Sequence, residues 1–426
     1  MSEASTAATL DREPNVPTPV APPPRSNQIL KEIFGGSAAI SVLAVFLALV
    51  VGGLLIVITD ENVAEAAGYF FSRPGDTFAA MWQAVSGAYA ALFRGSVFNF
   101  SRAEDLAAAF RPLTETLANA TPLIAAGLGV ALAFRVGLFN IGGRGQILIA
   151  AAAAGYVGAY LPLPPVIHLV VAIVAGIIGG ALWGGLVGLL KARTGAHEVI
   201  VTIMLNYIAF YLVSYLLRTP GALQAPGQNN PKSGPMLESA ILPDLLGPQY
   251  NLNFGFVLVI VATIYVWYLL NRSALGFRFR AVGENPHAAQ VSGIDVKRVY
   301  IQVMLISGGL VGLAGVYQVL GNFTGGFAAG LDAGIGFDAI TVALLGRSKA
   351  WGVFFAGILF GALKAGSYTM QASEGIPVDI VLVVQSFIVL FIAAPPLVRS
   401  IFRLPTPDAL FQWRGPRLER KAEVGK

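Results

Sequence analysis

Ten apolar stretches run through the chain, and most are long enough to cross the hydrocarbon core of a membrane as a helix. Inside a bilayer every backbone polar group needs an internal partner, so such stretches predict helices. The sequence therefore predicts an all-α, polytopic integral membrane protein with about 10 transmembrane helices. The stretches lie near 38–58, 113–134, 145–161, 166–190, 199–217, 252–270, 299–320, 336–346, 350–368 and 377–396.

The composition supports a membrane protein and excludes several other classes. Of the 426 residues, 55% are hydrophobic and only 12% are charged, so a soluble fold would expose large apolar patches. The net charge of +5 resides in loops and tails, which does not indicate nucleic-acid binding. The absence of cysteine excludes disulfides, thiolate metal sites and thiol nucleophiles. Three scattered histidines form no zinc motif, so we predict neither a metal site nor a catalytic residue.

The distribution of positive charge predicts the topology. Most of the 28 lysines and arginines fall in segments on one side if both termini are cytosolic, so we expect an N-in/C-in arrangement. The stretch 336–346 is too short to cross the membrane alone. It is a tilted or broken helix, or it begins earlier, within 330–335.

The same pattern divides the chain into segments. Residues 1–37 are rich in proline and are expected to be a disordered cytosolic tail. Residues 38–396 form the transmembrane domain, and residues 397–426 form a basic cytosolic C-terminal tail. Within the domain, residues 60–112 have helical apolar spacing typical of an amphipathic segment at the outer interface. Residues 271–298 are a basic cytosolic loop.

Two helices carry glycines at the spacing of close membrane packing. Glycines four residues apart let two helix backbones approach and gain van der Waals contact. The pattern indicates ordinary tight packing, or a helix surface that slides during a conformational change. The residues are Gly176, Gly180, Gly184 and Gly188 in one helix, and Gly308, Gly312 and Gly315 in another.

The cytosolic loop contains the signals of a short helix. Asn285 is a favourable N-cap, Pro286 suits the first helical position, and Gly293 can adopt the left-handed conformation that ends a helix. A helix of two turns is unstable alone, so it must be docked to persist. The alternatives are a docking site for a soluble partner or an incidental turn in a positively charged loop.

Polar residues near the apolar stretches are candidates for a translocation path. Asn140 and Gln146 belong to a glycine-rich segment between two predicted spans, which either lines a route or simply turns the chain. Glu198, Thr202 and Asn206 lie four residues apart on one helix face. A polar stripe inside a span faces the bundle or a cavity, where it forms interhelical hydrogen bonds or contacts solute.

The missing motifs concern the energy source. The chain has no GxxxxGK[ST] phosphate loop, so it does not bind nucleotide in that way. Only Glu198 and Asp338 place a carboxylate close to a span, and an ion-coupled carrier usually has more. Another subunit is therefore expected to supply the energy.

Several motifs in a fixed order resemble the permease subunits of bacterial ABC importers in the ribose/branched-chain amino-acid permease superfamily. The resemblance extends from about Thr114 to Pro396. The segment beginning at His197 is most similar to the nucleoside, or simple-sugar-type, uptake branch. At Arg144 the family usually has Glu, and this reversal of charge weakens any binding role carried over to that segment. The motifs are GLFNIG at 137–142, HEVI at 197–200, TIMLN at 202–206, RAVGENP at 280–286 and ALLG at 343–346.

The resemblance implies a type II ABC importer and its other subunits. These are a cytosolic ABC ATPase that binds ATP and Mg, a second permease that is often a different chain, and a periplasmic or lipoprotein substrate-binding protein. This chain would then be a translocation subunit without its own cofactor, surrounded by lipid in the bacterial inner membrane. The implied ATPase-coupling residues are Gly283, Glu284, Asn285, Pro286, His287, Ala288, Ala289, Gln290 and Gly293.

We therefore expect a permease for nucleosides, delivered by an external binding protein and moved by alternating access. The alternatives are an ABC permease for a pentose or other monosaccharide, and an ion-coupled secondary carrier.

Overall fold

A computed structural model describes residues 37–247 and 249–403. Within these residues the chain is helical apart from loops and two isolated β-bridges. The predicted disordered tail and most of the basic C-terminal tail lie outside the described residues, so both stay predictions. Residues 44–395 form one compact unit, and residues 37–43 and 396–403 belong to a second.

Fifteen α-helices occupy the described residues, and we number them in chain order. The first seven are α1 Ser37–Thr59, α2 Glu61–Gly68, α3 Pro74–Ser96, α4 Leu106–Phe134, α5 Gly143–Tyr160, α6 Pro165–Thr194 and α7 Glu198–Leu216. The next four are α8 Gly255–Arg272, α9 Ala274–Glu284, α10 Pro286–Val291 and α11 Val296–Tyr317. The last four are α12 Ile335–Leu345, α13 Ala350–Glu374, α14 Val378–Ala393 and α15 Pro395–Ile401.

Seven of these helices are long and apolar enough to cross a membrane, or eight if α14 and α15 make one span. The chain is therefore a multi-pass, nearly all-helical membrane protein. The finer count of ten stays a prediction. The short stretch predicted at 336–346 is helix α12, which has 11 residues and begins at Ile335, after a left-handed Gly334.

The two glycine motifs pack against each other, because α6 and α11 are in contact along most of their lengths. A Cβ at Gly180 would lie 2.5 Å from the Gly308 carbonyl oxygen, and one at Gly184 would lie 2.5 Å from that of Met304. Such distances leave no room for a side chain, so glycine permits this approach. In the structure Gly180 and Gly184 therefore lie at a close contact of the two helix backbones. Sliding of the two helices stays a prediction.

Residues 60–112 fold into α2, α3, a short 3₁₀-helix and the start of α4. Helix α3 packs on α1 and α13. The Tyr89 hydroxyl donates to the Leu49 carbonyl oxygen, and Arg94 lies 3.9 Å from Glu374. Trp82 of α3 is exposed. The amphipathic character of this segment and its place at the outer membrane interface stay predictions.

The connection between α7 and α8 is irregular, as its proline and glycine content predicts. It is tied to the helices by His168 of α6, whose ring nitrogens lie 2.7 Å from the Ser239 hydroxyl and 3.0 Å from the Val157 carbonyl oxygen. This histidine is buried and fully engaged, which accounts for its position without a catalytic or metal-binding role.

The glycine interface makes the first testable prediction. In Gly184→Ala the added methyl group would meet the backbone of α11, which cannot move away as a side chain can. We expect the loss of about 1–3 kcal/mol of stability that overpacking typically causes, measured as a lower melting temperature of the purified protein in detergent. The control is Gly75→Ala, because a Cβ at Gly75 meets nothing within 4 Å. Equal melting temperatures for the two variants would contradict this account.

Candidate functional site

The predicted polar residues converge on the segment between α4 and α5, residues 135–142, which we call the elbow. It begins at Arg135, whose Nε donates to the Ser348 carbonyl oxygen at 3.0 Å. Gly137 follows with a φ of 76°, a left-handed conformation that strains residues with a Cβ. The chain then runs back between α4 and α11, where Asn140 is completely buried.

A carboxamide pair holds the elbow in place. The Asn140 Nδ2 donates to the Gln146 Oε1 at 3.1 Å, and the Gln146 Nε2 donates to the Asn140 Oδ1 at 3.1 Å. Asn140 Nδ2 also donates to the Ser307 hydroxyl of α11 at 2.9 Å, and Ser307 donates to the Gly129 carbonyl oxygen of α4 at 2.7 Å. The elbow is therefore bonded to both neighbouring helices through buried side chains.

Asn206 of α7 satisfies the backbone where α5 begins. No side chain of the elbow caps the N-terminus of α5 at Gly142. Instead, the Asn206 Oδ1 accepts from the Gly145 backbone N–H at 2.8 Å, and the Asn206 Nδ2 donates to the Ile141 carbonyl oxygen at 2.9 Å. An interhelical side chain thus replaces the usual local N-cap.

Helix α5 begins inside the bundle rather than at its surface. Asn206 lies eight residues after the start of α7, which corresponds to about 12 Å of helix rise. The whole of α7 has 19 residues, so the start of α5 is near the middle of that span. Irregular backbone at such depth persists only where protein or water pairs it. The buried amides and the Ser307 hydroxyl provide that pairing.

A second broken element meets α5 at the same level. The N-terminus of α12 lies against it, since a Cβ at Gly143 would be 2.8 Å from the Gly336 carbonyl oxygen. The Arg144 Nε lies 3.2 Å from the Asp332 Oδ1, just before α12. Two helices therefore begin face to face within the bundle, joined by an ion pair.

Four of the five predicted path residues come together at the elbow: Asn140, Gln146, Thr202 and Asn206. Thr202 packs beside it, because a Cβ at Gly142 would be 3.2 Å from the Thr202 Cβ. The fifth, Glu198, lies at the start of α7 and forms an ion pair of 2.6 Å with Lys191. The four clustered side chains bond to each other and to the backbone, so the structure gives them a scaffolding role. Their role in translocation stays a prediction.

The predicted short helix exists as α10. The Asn285 side chain accepts from the backbone N–H groups of His287 and Ala288 at 3.0 and 3.1 Å, and Gly293 has a φ of 83°. Ala289 is buried, whereas Val291 is 91% exposed. The local helix prediction is confirmed. A docking role stays a prediction.

The segment before α10 contacts the elbow directly. Gly283, near the end of α9, packs on the backbone of Arg135 and Val136 so closely that no Cβ would fit. Phe279 and Val282 of α9 are fully buried. The helix α9, which directly precedes α10, is therefore in close backbone contact with the elbow.

Sequence reasoning missed several of these residues. Ser307 directly precedes the glycine motif of α11, and neither Ser307 nor the exposed Val291 belongs to a polar or coupling pattern that the sequence alone identifies. Asp332 carried a signal, as an isolated acid between two apolar stretches, but its partner Arg144 is distant in sequence. Within residues 37–247 and 249–403, no group of three or more histidine or acidic side chains could hold a metal ion.

Comparison with known proteins identifies a family. A family model described as "Branched-chain amino acid transport system / permease component" matches residues 113–393. The guanosine ABC transporter permease protein NupP of Bacillus subtilis (strain 168) is 36% identical over 366 residues, which is 85% of this chain and 94% of NupP. No solved structure matches the chain.

Two further relatives differ in the solute their names state. The nucleoside ABC transporter permease protein NupB of Lactococcus lactis is 33% identical over 305 residues, 70% of this chain and 82% of NupB. The glucose ABC transporter permease protein TsgB13 of Haloferax volcanii is 34% identical over 289 residues, 66% of this chain and 75% of TsgB13. Both nucleoside and sugar permeases are thus similar to this chain.

The elbow makes the second testable prediction. Asn206→Ala leaves the Gly145 N–H and the Ile141 carbonyl buried without their partner, and each such group costs about 1–3 kcal/mol. We expect a clear fall in melting temperature in detergent. The control is Asn271→Ala on the neighbouring α8, because Asn271 is exposed and bonds only within its own helix turn. A melting temperature for Asn206→Ala as high as that of the control would refute the capping role.

Proposed function

Because the chain belongs to the branched-chain amino acid transport system permease family, we propose that it is the membrane permease subunit of an ATP-driven ABC importer for nucleosides. The observation that carries the solute class is the similarity to NupP over 94% of its length. The similarity to NupB points to the same class of solute. Both relatives are transporter permease subunits, so this chain is a translocation subunit rather than an enzyme.

The energy comes from a cytosolic partner ATPase, which binds the ATP and Mg that this chain does not. Its docking site is α10 with the flanking residues 283–293. The cap at Asn285 and the left-handed Gly293 fix the ends of this helix, and the exposed Val291 gives it an apolar contact for a partner. A short helix with both ends fixed and an apolar side chain exposed is suited to binding a partner subunit.

The proposed topology is that of a type II importer with about 10 membrane passages and both termini inside. Helices α5 and α12 complete the count as partial spans, which begin within the membrane at the elbow. The setting is the bacterial inner membrane. Discontinuous helices that meet near the bilayer midplane are a recurrent feature of transporter solute sites.

Transport proceeds by alternating access between two permease subunits, the second of which is a different chain. A periplasmic or lipid-anchored binding protein delivers the nucleoside to the outer side. ATP binding closes the ATPases and moves α10. Because Gly283 presses on the backbone of Arg135 and Val136, the movement reaches the elbow and tilts the helices bonded to it.

A monosaccharide is the second candidate solute, and the similarity to the glucose permease TsgB13 favours it. An ion-coupled secondary carrier is less well supported, since Glu198 pairs with Lys191 and Asp332 pairs with Arg144, which leaves Asp338 of α12 as a carboxylate near a described span without an ion pair. Carboxylates that couple transport to ions are expected to be available for exchange.

The function is tested in proteoliposomes that contain both permeases, the ATPase and the binding protein. We expect uptake of labelled guanosine that requires ATP inside the vesicles and the binding protein outside. Excess unlabelled nucleoside should compete with the label, whereas ribose and glucose should not. Uptake of glucose alone would support the sugar permease instead. Uptake by this chain by itself under an ion gradient would identify a secondary carrier.

The docking role makes the third testable prediction. Val291→Glu places a charge on the exposed apolar position of α10, so it should disrupt an apolar contact with the ATPase without affecting the fold of this chain. We expect an unchanged amount of permease in the membrane and less ATPase co-purified with it. Val291→Ile keeps the apolar surface and serves as the control. Equal recovery of ATPase with both variants would exclude α10 as the docking helix.

A further inference from the structure

Arg144 is a charged side chain at an unusual depth. It is the second residue of α5, and its guanidinium Cζ lies 4.8 Å from the ring centroid of Phe210 on α7. Phe210 is 12 residues beyond the start of α7, about 18 Å along that helix. The guanidinium therefore lies well inside a span whose 19 residues rise about 28 Å.

The charge is only partly neutralised within the subunit. The Arg144 Nε donates to the Asp332 Oδ1, and the Asp332 side chain is only 6% exposed. A guanidinium has five N–H donors in a planar fork. Among the hydrogen bonds of the described residues, only the Nε of Arg144 donates, and the side chain is 31% exposed. The terminal N–H groups of Arg144 are therefore available to a group that approaches its exposed side.

Lipid is an unsuitable neighbour for those groups. A charged side chain inside a membrane faces the bundle interior, a partner or a water-filled cavity, because lipid tails offer no hydrogen-bond acceptors. The exposed part of Arg144 thus indicates a polar environment on this face of the subunit. In a transport protein the solute route is such an environment.

The Phe210 ring beside the guanidinium belongs to an aromatic patch on α7. Tyr207, Phe210 and Tyr211 are three and four residues apart, so they form one patch on α7. The rings of Phe210 and Tyr211 are in edge contact, with centroids 5.5 Å apart. Tyr207 and Tyr211 are 55% and 67% exposed. The hydroxyl of a phenol within a span needs a hydrogen-bond partner, which water or solute offers and lipid tails do not.

We propose that Arg144 and the aromatic patch of Tyr207, Phe210 and Tyr211 form a contact site for 6-oxopurine nucleosides on the wall of the solute route. This rests on the proposed function and specifies the substrate class within it. The ring of Tyr211 stacks on the base, and the terminal N–H groups of Arg144 donate to two adjacent acceptors on its edge. The pair with Asp332 orients the guanidinium for that contact.

The chemistry of the base edge explains the choice of substrate. Guanosine and inosine present O6 and N7 as neighbouring acceptors, which match the fork of an arginine. Adenosine presents an amino donor in place of O6, and this donor opposes the N–H groups of Arg144. A lysine at this position keeps the charge opposite Asp332 but loses the planar fork.

The test compares inosine with adenosine, because they differ at position 6 of the purine. Uptake of each is measured in proteoliposomes with the complete importer, for the wild type and for Arg144→Lys. The same binding protein is used throughout, so a change in the ratio reports on the permease. We expect the inosine-to-adenosine uptake ratio to fall about 5-fold or more in Arg144→Lys. Arg73→Lys makes the same change at an exposed arginine outside the site and should retain the wild-type ratio.

Two outcomes of this comparison overturn the proposal in different ways. If the wild-type complex takes up both nucleosides and Arg144→Lys leaves their ratio unchanged, the contact site is wrong and the proposed function stands. If the wild-type complex takes up neither nucleoside, the proposed function and the site fall together.

A second measurement covers the case in which Arg144→Lys fails to fold. The chain has no cysteine, so Tyr211→Cys introduces a single thiol into it. A negatively charged, membrane-impermeant methanethiosulfonate should label this thiol in the complete importer, with or without ATP. Inosine should protect the thiol more strongly than adenosine does. No labelling in either state would show that the second permease or lipid covers the patch, and equal protection would deny the base selectivity.

Discussion

The arrangement depends on the pairing of backbone groups where α5 begins inside the bundle. A helix that starts within a membrane leaves N–H groups that neither lipid nor water satisfies. Asn206 provides the pairing from a different helix, and Asn140 and Gln146 hold the preceding residues. The carboxamides therefore allow the chain to interrupt a span, which in turn allows a polar site at that depth.

The glycines complement this pairing by removing side-chain volume at the same places. Gly143 and Gly336 let the starts of α5 and α12 touch, and Gly145 leaves room for Asn206 to reach the backbone. The indole Nε1 of Trp183 also lies beside Gly145, and it is buried without a hydrogen-bond partner. Such an unsatisfied donor costs stability, and here it adjoins the break in the span, where polar chemistry is concentrated.

Local signals in the sequence were sufficient for some of these features. Asn285, Pro286 and Gly293 act on residues one to four positions away, so their pattern predicts α10 without tertiary information. The glycine spacing in α6 likewise predicts a tight contact, though not that α11 is the partner. Both predictions depend on the spacing of residues within one short segment, which the sequence shows directly.

Contacts between distant segments could not be predicted in the same way. Arg144 and Asp332 are 188 residues apart, and neither has a local pattern that indicates the other. The depth at which α5 begins depends on Asn206 and Ser307, which come from two other helices. The polar stripe on α7 predicts that polar groups lie opposite it. Only the fold shows that these groups are the backbone N–H and C=O groups where α5 begins.

The contact between α9 and the elbow joins the two candidate functional regions. Gly283 touches the backbone at Arg135, and five residues later Asn140 is bonded to α11 and to Gln146 of α5. A rigid displacement of α9 and α10 therefore cannot leave the elbow in place without opening those contacts. Since the Arg144–Asp332 pair is mounted on the first turn of α5, the same displacement changes the position of the charge within the membrane. The proposed coupling and the proposed solute contact would then both depend on one interrupted helix.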